Sequence, residues 1–183
     1  MLRFRLIPGV DVVPLSSSPP AEPLTAVWVE PVGLDHEMGF DEFYRAEIGW
    51  ARRLAYLMLG DLQAAEDVAH DAFVSISSRF SRVRNPRGYL RVVIVNRCRK
   101  HQRQPRWTSQ DAGLDVAAPV SGTSLEVLDC IDRLPVRQRA VIVLRYFEGL
   151  SEREIAQVLR CRPGTVKSLA SRALTQLRKE LEP

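Results

Sequence analysis

Thr165, Lys167, Ser168, Ser171 and Arg172 mix short hydroxyl side chains with long cations over eight residues. Carried on one face of a helix, such groups can reach base edges and phosphates in a DNA major groove. They sit in the stretch SEREIAQVLRCRPGTVKSLASRAL, Ser151 to Leu174, which reads as a helix that stops at Arg160-Cys161-Arg162-Pro163-Gly164 and restarts. Ser151 followed by Glu154 is a capping box and marks the first start. Ile155, Val158 and Leu159 face inward, and Ala156 is small enough for a second helix to cross closely. Pro163 fits the first turn of the restarted helix, where no N–H is required. Val166, Leu169, Ala170, Ala173, Leu174 and Leu177 recur at spacings of three and four and are expected to face the core. Thr165, Lys167, Ser168, Ser171, Arg172 and Thr175 remain outside. The break therefore aims a helix, and the spacing predicts a helix-turn-helix; an ordinary helical hairpin is the plainer reading of the same pattern.

The second chemical signal is a switch of charge. Between Asp41 and Asp71, the acids Asp41, Glu42, Glu47, Asp61, Glu66, Asp67 and Asp71 outnumber Arg45, Arg52 and Arg53. From Arg79 to Arg106 there is no acid, while Arg79, Arg82, Arg84, Arg87, Arg91, Arg97, Arg99, Lys100, Arg103 and Arg106 accumulate. A basic face suits phosphates, because neutralising them releases counterions. An acidic face suits a basic protein surface. The plainer reading is two solvated faces. Overall the 183 residues carry a net charge of +4, a mild excess compatible with a polyanionic partner.

Catalytic arrangements are missing from the sequence. No phosphate-cradling loop, zinc-protease pair or nucleophile elbow occurs. Glu66 and Asp67 are neighbours in sequence, and adjacent helical residues do not face one another, so they form no shared-proton dyad. Three scattered histidines and the widely spaced Cys98, Cys130 and Cys161 give neither a metal-ligand spacing nor a disulfide framework. The expectation is a protein that is not an enzyme, takes no metal or cofactor, and works in a reducing cytoplasm. No apolar run reaches the length of a membrane span.

The elements that must position these groups read as all-α. Phe43, Tyr44, Ile48, Ala51, Leu54 and Ala55 mark one amphipathic helix; Gly60-Asp61 ends it and begins a second, striped by Ala65, Val68, Ala69, Ala72, Phe73 and Ile76. Asn85-Pro86-Arg87-Gly88 signals a turn before a third helix, Tyr89 to Arg103. Its run Val92-Val93-Ile94-Val95 also suits a buried strand, but the long polar continuation favours a helix. Leu125, Leu128, Ile131 and Leu134 form the face of a fourth, stopped by Pro135. Ala140, Val141, Val143, Leu144 and Phe147 fill the next, closed by Gly149. Residues 1–37 are proline-rich and are expected to be a disordered tail; a start of translation at Met38 is an open alternative. The division expected is 1–37 tail, 38–104 first helical domain, 105–122 flexible linker and 123–183 second helical domain ending in the helix-turn-helix.

Together these features resemble the extracytoplasmic-function (ECF) sigma factors of bacterial RNA polymerase, in the sigma-70 family. GDLQAAEDVAHDAFVSI resembles the part of sigma region 2 that docks on the polymerase clamp helices, and NPRGYLRVVIVNRCRKHQRQ the part that reads and opens the minus-ten element. LDCIDRLPVRQRAVIVLRYFEGLSEREIAQVLRCRPGTVKSLASRALTQLRKEL resembles region 4, which reads the minus-thirty-five element. The resemblance implies that Asp61, Glu66, Asp67 and Asp71, with Phe73 as packing support, face the clamp. Arg84, Asn96, Arg97 and Lys100 would lie at the minus-ten element, and Arg162, Thr165, Lys167, Ser168, Ser171 and Arg172 at the upstream one. Apolar residues around Leu134 to Leu144 would help meet the polymerase flap. The implied partners are core RNA polymerase and promoter DNA, with an anti-sigma factor as a further implied partner and no membrane. The alternative is an autonomous helix-turn-helix regulator, which has no need of the acidic helix. Three departures from the family pattern stand out: arginine at 160 where glycine is common, arginine at 162 where serine often caps the helix, and Lys100 where aspartate is often found.

Overall fold

The computed structural model describes residues 38–102 and 125–181. The expected tail and linker lie outside the described residues. These residues fall into two compact units, with no strand among them. The all-α expectation holds.

The first unit is built from three helices. Helix α1, Phe40–Leu59, has Asp41 and Glu42 in its first turn, where carboxylates favour the positive end of the helix dipole. It ends at Gly60, whose left-handed φ of 71° lets its N–H close on the Tyr56 carbonyl at 2.8 Å. The next residue, Asp61, starts α2, Leu62–Ser77, by accepting from the Ala64 N–H at 3.0 Å. A short 3₁₀ turn, Phe80–Arg82, leads to α3, Pro86–His101, where Asn85 accepts from the Gly88 N–H at 2.8 Å. The valine-rich run is helical, not extended. Only Ile94 and Val95 of it are fully buried, while Val92 and Val93 lie half-buried, which a helix tolerates and a central strand would not. The helices enclose Leu54, Met58, Phe73, Ile76, Leu90 and Ile94. Burial of each such side chain contributes about 2 kcal/mol. Phe43 meets Phe80 at 5.1 Å and Phe73 at 5.9 Å between ring centroids, fixing α1 against α2 and the turn. The Gln102 amide donates to the Met58 carbonyl at 2.6 Å and ties the end of α3 to α1.

The second unit has three short helices, one long helix and one irregular segment. Helix α4 is Leu125–Asp132 and α5 is Val136–Ile142, with Pro135 between them as expected. The buried Arg139 closes that corner: it donates to Asp132 Oδ1 at 2.5 Å and to the Asp132 carbonyl. Helix α5 then widens into a π-helical segment, Val143–Phe147, and the Glu148 N–H reaches the Val143 carbonyl five residues back at 3.2 Å. Gly149 follows with φ of 67°. Helices α6, Glu152–Val158, and α7, Pro163–Leu181, complete the unit around Val141, Leu144, Ile155 and Val166.

Candidate nucleic-acid interface

In the second unit the helix-turn-helix forms as the spacing predicts. The Ser151 hydroxyl accepts from the Glu154 N–H at 3.3 Å, and the Glu154 carboxylate accepts from the Ser151 N–H at 2.8 Å. Ile155, Ala156, Val158 and Leu159 are buried. The turn is a complete Schellman motif. The Arg160 N–H donates to the Gln157 carbonyl at 3.1 Å and the Cys161 N–H to the Ala156 carbonyl at 2.8 Å. This geometry requires a left-handed residue, and Arg160 supplies it with φ of 52°, the sole non-glycine positive φ among the described residues. Arg162 stands just before α7, and its carbonyl accepts from the Thr165 N–H at 2.9 Å. A guanidinium has no acceptor, so the Arg162 side chain cannot cap the helix and is left exposed.

Along α7, Lys167, Ser168, Ser171 and Arg172 are exposed and Thr165 is half-buried. The Ser168 hydroxyl donates to the Gly164 carbonyl at 3.0 Å, so toward an outside partner it acts as an acceptor. Lys167 and Ser171 rim a cleft of about 240 Å³ whose apolar walls include Val141, Ile155 and Leu174. The apolar side of α7 is less covered than its spacing suggests. Val166 and Ala173 are buried, but Leu169, Ala170, Leu174 and Leu177 are only half-buried. A 19-residue helix packed on helices of seven or eight residues outruns its cover.

In the first unit the four acids expected at the polymerase differ in setting. Asp61 is already the cap of α2. Glu66 is ion-paired with Arg52 of α1. Asp67 is exposed and accepts from Gln63 at 3.5 Å. Asp71 pairs with Arg97 of α3 at 2.6 Å. Glu66, Asp67, His70 and Asp71 line a shallow cleft of about 620 Å³ opposite Tyr44, Ile48 and Arg52. Val74, one turn beyond His70, is 59% exposed and gives this acidic face an apolar end.

The downstream group is likewise divided. Asn96 and Lys100 stand one turn apart on α3, whereas Arg97 is turned toward α2 by Asp71. Arg84 is exposed in the loop before α3, about 15 Å of helix away from Asn96. Sequence reasoning missed a third feature. Trp50 of α1 lies under two guanidinium groups of α3, Arg87 at 4.7 Å and Arg91 at 5.8 Å from the ring centroid. Arg87 also pairs with Glu47 at 3.4 Å. Trp50 belonged to no apolar stripe, and nothing short of the α1–α3 packing brings it to these arginines.

Comparison with known proteins matches both units. Residues 43–108 match the family Sigma-70 region 2, and residues 124–177 match Sigma-70, region 4. The chain is 33% identical over 152 residues to the RNA polymerase sigma-E factor of Streptomyces avermitilis, covering 78% of this chain and 85% of that protein. It is 30% identical over 147 residues to the ECF RNA polymerase sigma factor SigM of Mycobacterium tuberculosis, covering 75% and 74%. Among solved structures, the sigma factor RpoE of Bartonella quintana, crystallised with the anti-sigma factor NepR, aligns over 78% of this chain and 96% of its own with a TM-score of 0.60. At 21% identity that likeness speaks to the fold alone. Two regional matches in the sigma-70 order, and relatives alike over most of their length, make this chain a member of the ECF sigma factors of the sigma-70 family.

Proposed function

We propose that the chain is a promoter-specificity subunit: it binds core RNA polymerase, directs it to specific promoters and helps melt the DNA for initiation. The observation that carries this reading is the pairing, within one compact unit, of the acidic α2 face with the acid-free α3. A stand-alone regulator has no use for the first of these. The second unit adds a helix-turn-helix whose exposed Lys167 and Arg172 suit phosphates.

In this reading Asp67, Glu66, Asp71 and the rim near Asp61 meet the basic clamp helices, and Val74 adds apolar contact. Arg162, Thr165, Lys167, Ser168, Ser171 and Arg172 meet the upstream element; Arg84, Asn96, Arg97 and Lys100 meet the downstream one. Capture of a splayed base offsets the few kcal/mol that unstacking costs, so melting requires no hydrolysis of ATP. The chain contributes binding energy and no covalent step, and it acts in the cytoplasm beside the polymerase. An anti-sigma factor that covers these same faces is the natural inhibitor of such a device.

The test is reconstitution with core polymerase and run-off transcription. Lys167→Ala and Arg172→Ala should weaken promoter binding while polymerase binding is kept, and Asp67→Ala should do the reverse. Equal effects of all three changes on both assays would refute this division of labour.

A further inference from the structure

We infer that the Asp71–Arg97 pair couples the two partners of the first unit: the Asp71 carboxylate holds the place of a DNA phosphate on Arg97, and a basic polymerase surface that takes Asp71 frees Arg97 for the DNA. The inference rests on the proposed function for the identity of the partners. It adds what the arrival of one does to the affinity for the other. Asp71 stands on α2 and lines the acidic cleft with Glu66, Asp67 and His70. Arg97 stands next to Asn96 on α3, which carries no acid. Its Nη1 donates to Asp71 Oδ2 at 2.6 Å, between residues 26 apart in the chain. Among the described residues neither side chain has another ion-pair partner. Of the three acids in the cleft, Asp71 is the one paired to α3: Glu66 pairs with Arg52 of α1, and Asp67 accepts from Gln63 of its own helix.

The exposure of this pair sets it apart from a structural one. In the second unit the Arg139 side chain is 7% exposed and closes a corner against Asp132. Here Arg97 is 38% and Asp71 59% exposed, so each can turn to an outside partner without leaving the other as a buried, uncompensated charge. A carboxylate and a phosphate offer a guanidinium the same fork of oxygen acceptors. Asp71 therefore opposes a phosphate twice: it occupies the cation, and its own charge repels a second anion. By the same reasoning Arg97 opposes a basic surface that approaches Asp71. Whichever partner opens the pair removes the opposition to the other. The two partners then favour each other by the same factor, because linkage is reciprocal. An exposed ion pair shifts an equilibrium by about two- to fivefold, so the pair biases the order of assembly and does not lock it.

The experiment uses the full chain, a fluorescent 20-base-pair duplex of mixed sequence, and labelled core polymerase. In an anisotropy titration of the duplex, Asp71→Asn should raise affinity about two- to fivefold and increase the salt slope by about one. Arg97→Gln should cost two- to fivefold more in the Asp71→Asn background than in the native one, since only there is the guanidinium released. Against core polymerase without DNA, Arg97→Gln should bind about two- to fivefold tighter than the native chain, because Asp71 is freed. That gain is not expected of a pair that only braces α2 against α3. Unchanged duplex affinity and salt slope in Asp71→Asn, equal costs of Arg97→Gln in both backgrounds, or polymerase binding that Arg97→Gln leaves unchanged or weakens each overturns the inference. Should Asp71→Asn fail to fold by circular dichroism, the polymerase titration of Arg97→Gln decides alone. Run-off transcription separates the two readings. If the native chain directs transcription while Arg97→Gln gains no polymerase affinity, the coupling falls and the proposed function stands. If the native chain directs none while both gains are measured, the proposed function falls and the coupling stands.

Discussion

Replacing Arg160 by glycine should stabilise the second unit without touching its core. Arg160 occupies the left-handed position of the Schellman turn between α6 and α7, with φ of 52°. A residue with a β-carbon is held there at a cost of about 1–2 kcal/mol. Glycine removes that cost but gains freedom in the unfolded chain, which returns about 0.5–1 kcal/mol. The difference is a net gain of about 0.5–1 kcal/mol. The arginine side chain is exposed, so its removal subtracts little packing. In a domain of this size 1 kcal/mol moves Tm by about 4–8 °C, so the transition that melts α6 and α7 should rise by about 2–8 °C. The assay is thermal and urea unfolding of the full chain, followed by far-ultraviolet circular dichroism. Arg160→Ala is the control, because alanine keeps the β-carbon and therefore the strain; it should be no more stable than the native chain. If glycine and alanine shift the transition equally, the strain is not where the backbone angle puts it, and the reasoning fails.

Three further outcomes are expected. The Asp71–Arg97 pair is exposed, so Asp71→Asn should cost at most about 0.5 kcal/mol in urea unfolding. The same change should weaken polymerase binding and raise non-specific DNA affinity, since Arg97 is released; unchanged DNA affinity in an anisotropy titration would count against the pair. Arg139→Ala should destabilise the second unit by about 1–3 kcal/mol, because a buried guanidinium joins a carboxylate and a carbonyl at one corner. Arg139→Lys should not rescue it in the same urea assay, a single ammonium being unable to span both. Burial pushes the Cys98 thiol from 9.0 up to about 12. The folded chain therefore keeps this proton to higher pH than the unfolded chain does, and the associated stability is whole below pH 9 and declines as pH rises toward 12. By pH 10.5 the first unit should lose about 2 kcal/mol that a Cys98→Ala variant does not lose, read from urea midpoints at pH 8 and 10.5.

The helices were legible because each has a marked start and stop. Asp61, Asn85 and Ser151 all cap where the pattern puts them, and Gly60 and Gly149 both adopt the left-handed turn. The strain at Arg160 was also visible in advance, through the resemblance to chains that carry glycine there. What stayed hidden depends on how helices meet. Periodicity says that Arg97 is polar, but only the α2–α3 packing gives it to Asp71. Counting apolar residues at spacings of three and four says that Leu169, Leu174 and Leu177 face inward, but not that the short helices opposite leave them half covered. The burial of Arg139 and the cluster at Trp50 are of the same kind, each a meeting of residues from separate turns of the chain. The π segment leaves no trace in composition, since its residues are as apolar as any α-helix would carry.

That widened turn has a consequence for how the domain tolerates change in length. Each residue of an α-helix advances the chain by about 100°, so gaining or losing one ordinarily swings everything downstream to another side. Val143–Phe147 already absorbs a surplus residue as a local swelling, with Glu148 and Gly149 leaving in the direction that α6 needs. A shortening by one residue within it could relax the swelling into regular helix and keep the bearing of α6 and α7, where the same loss in α5 or α6 would misdirect them. The segment thus works as an expansion joint: it decouples the length of the scaffold from the aim of the helix it supports.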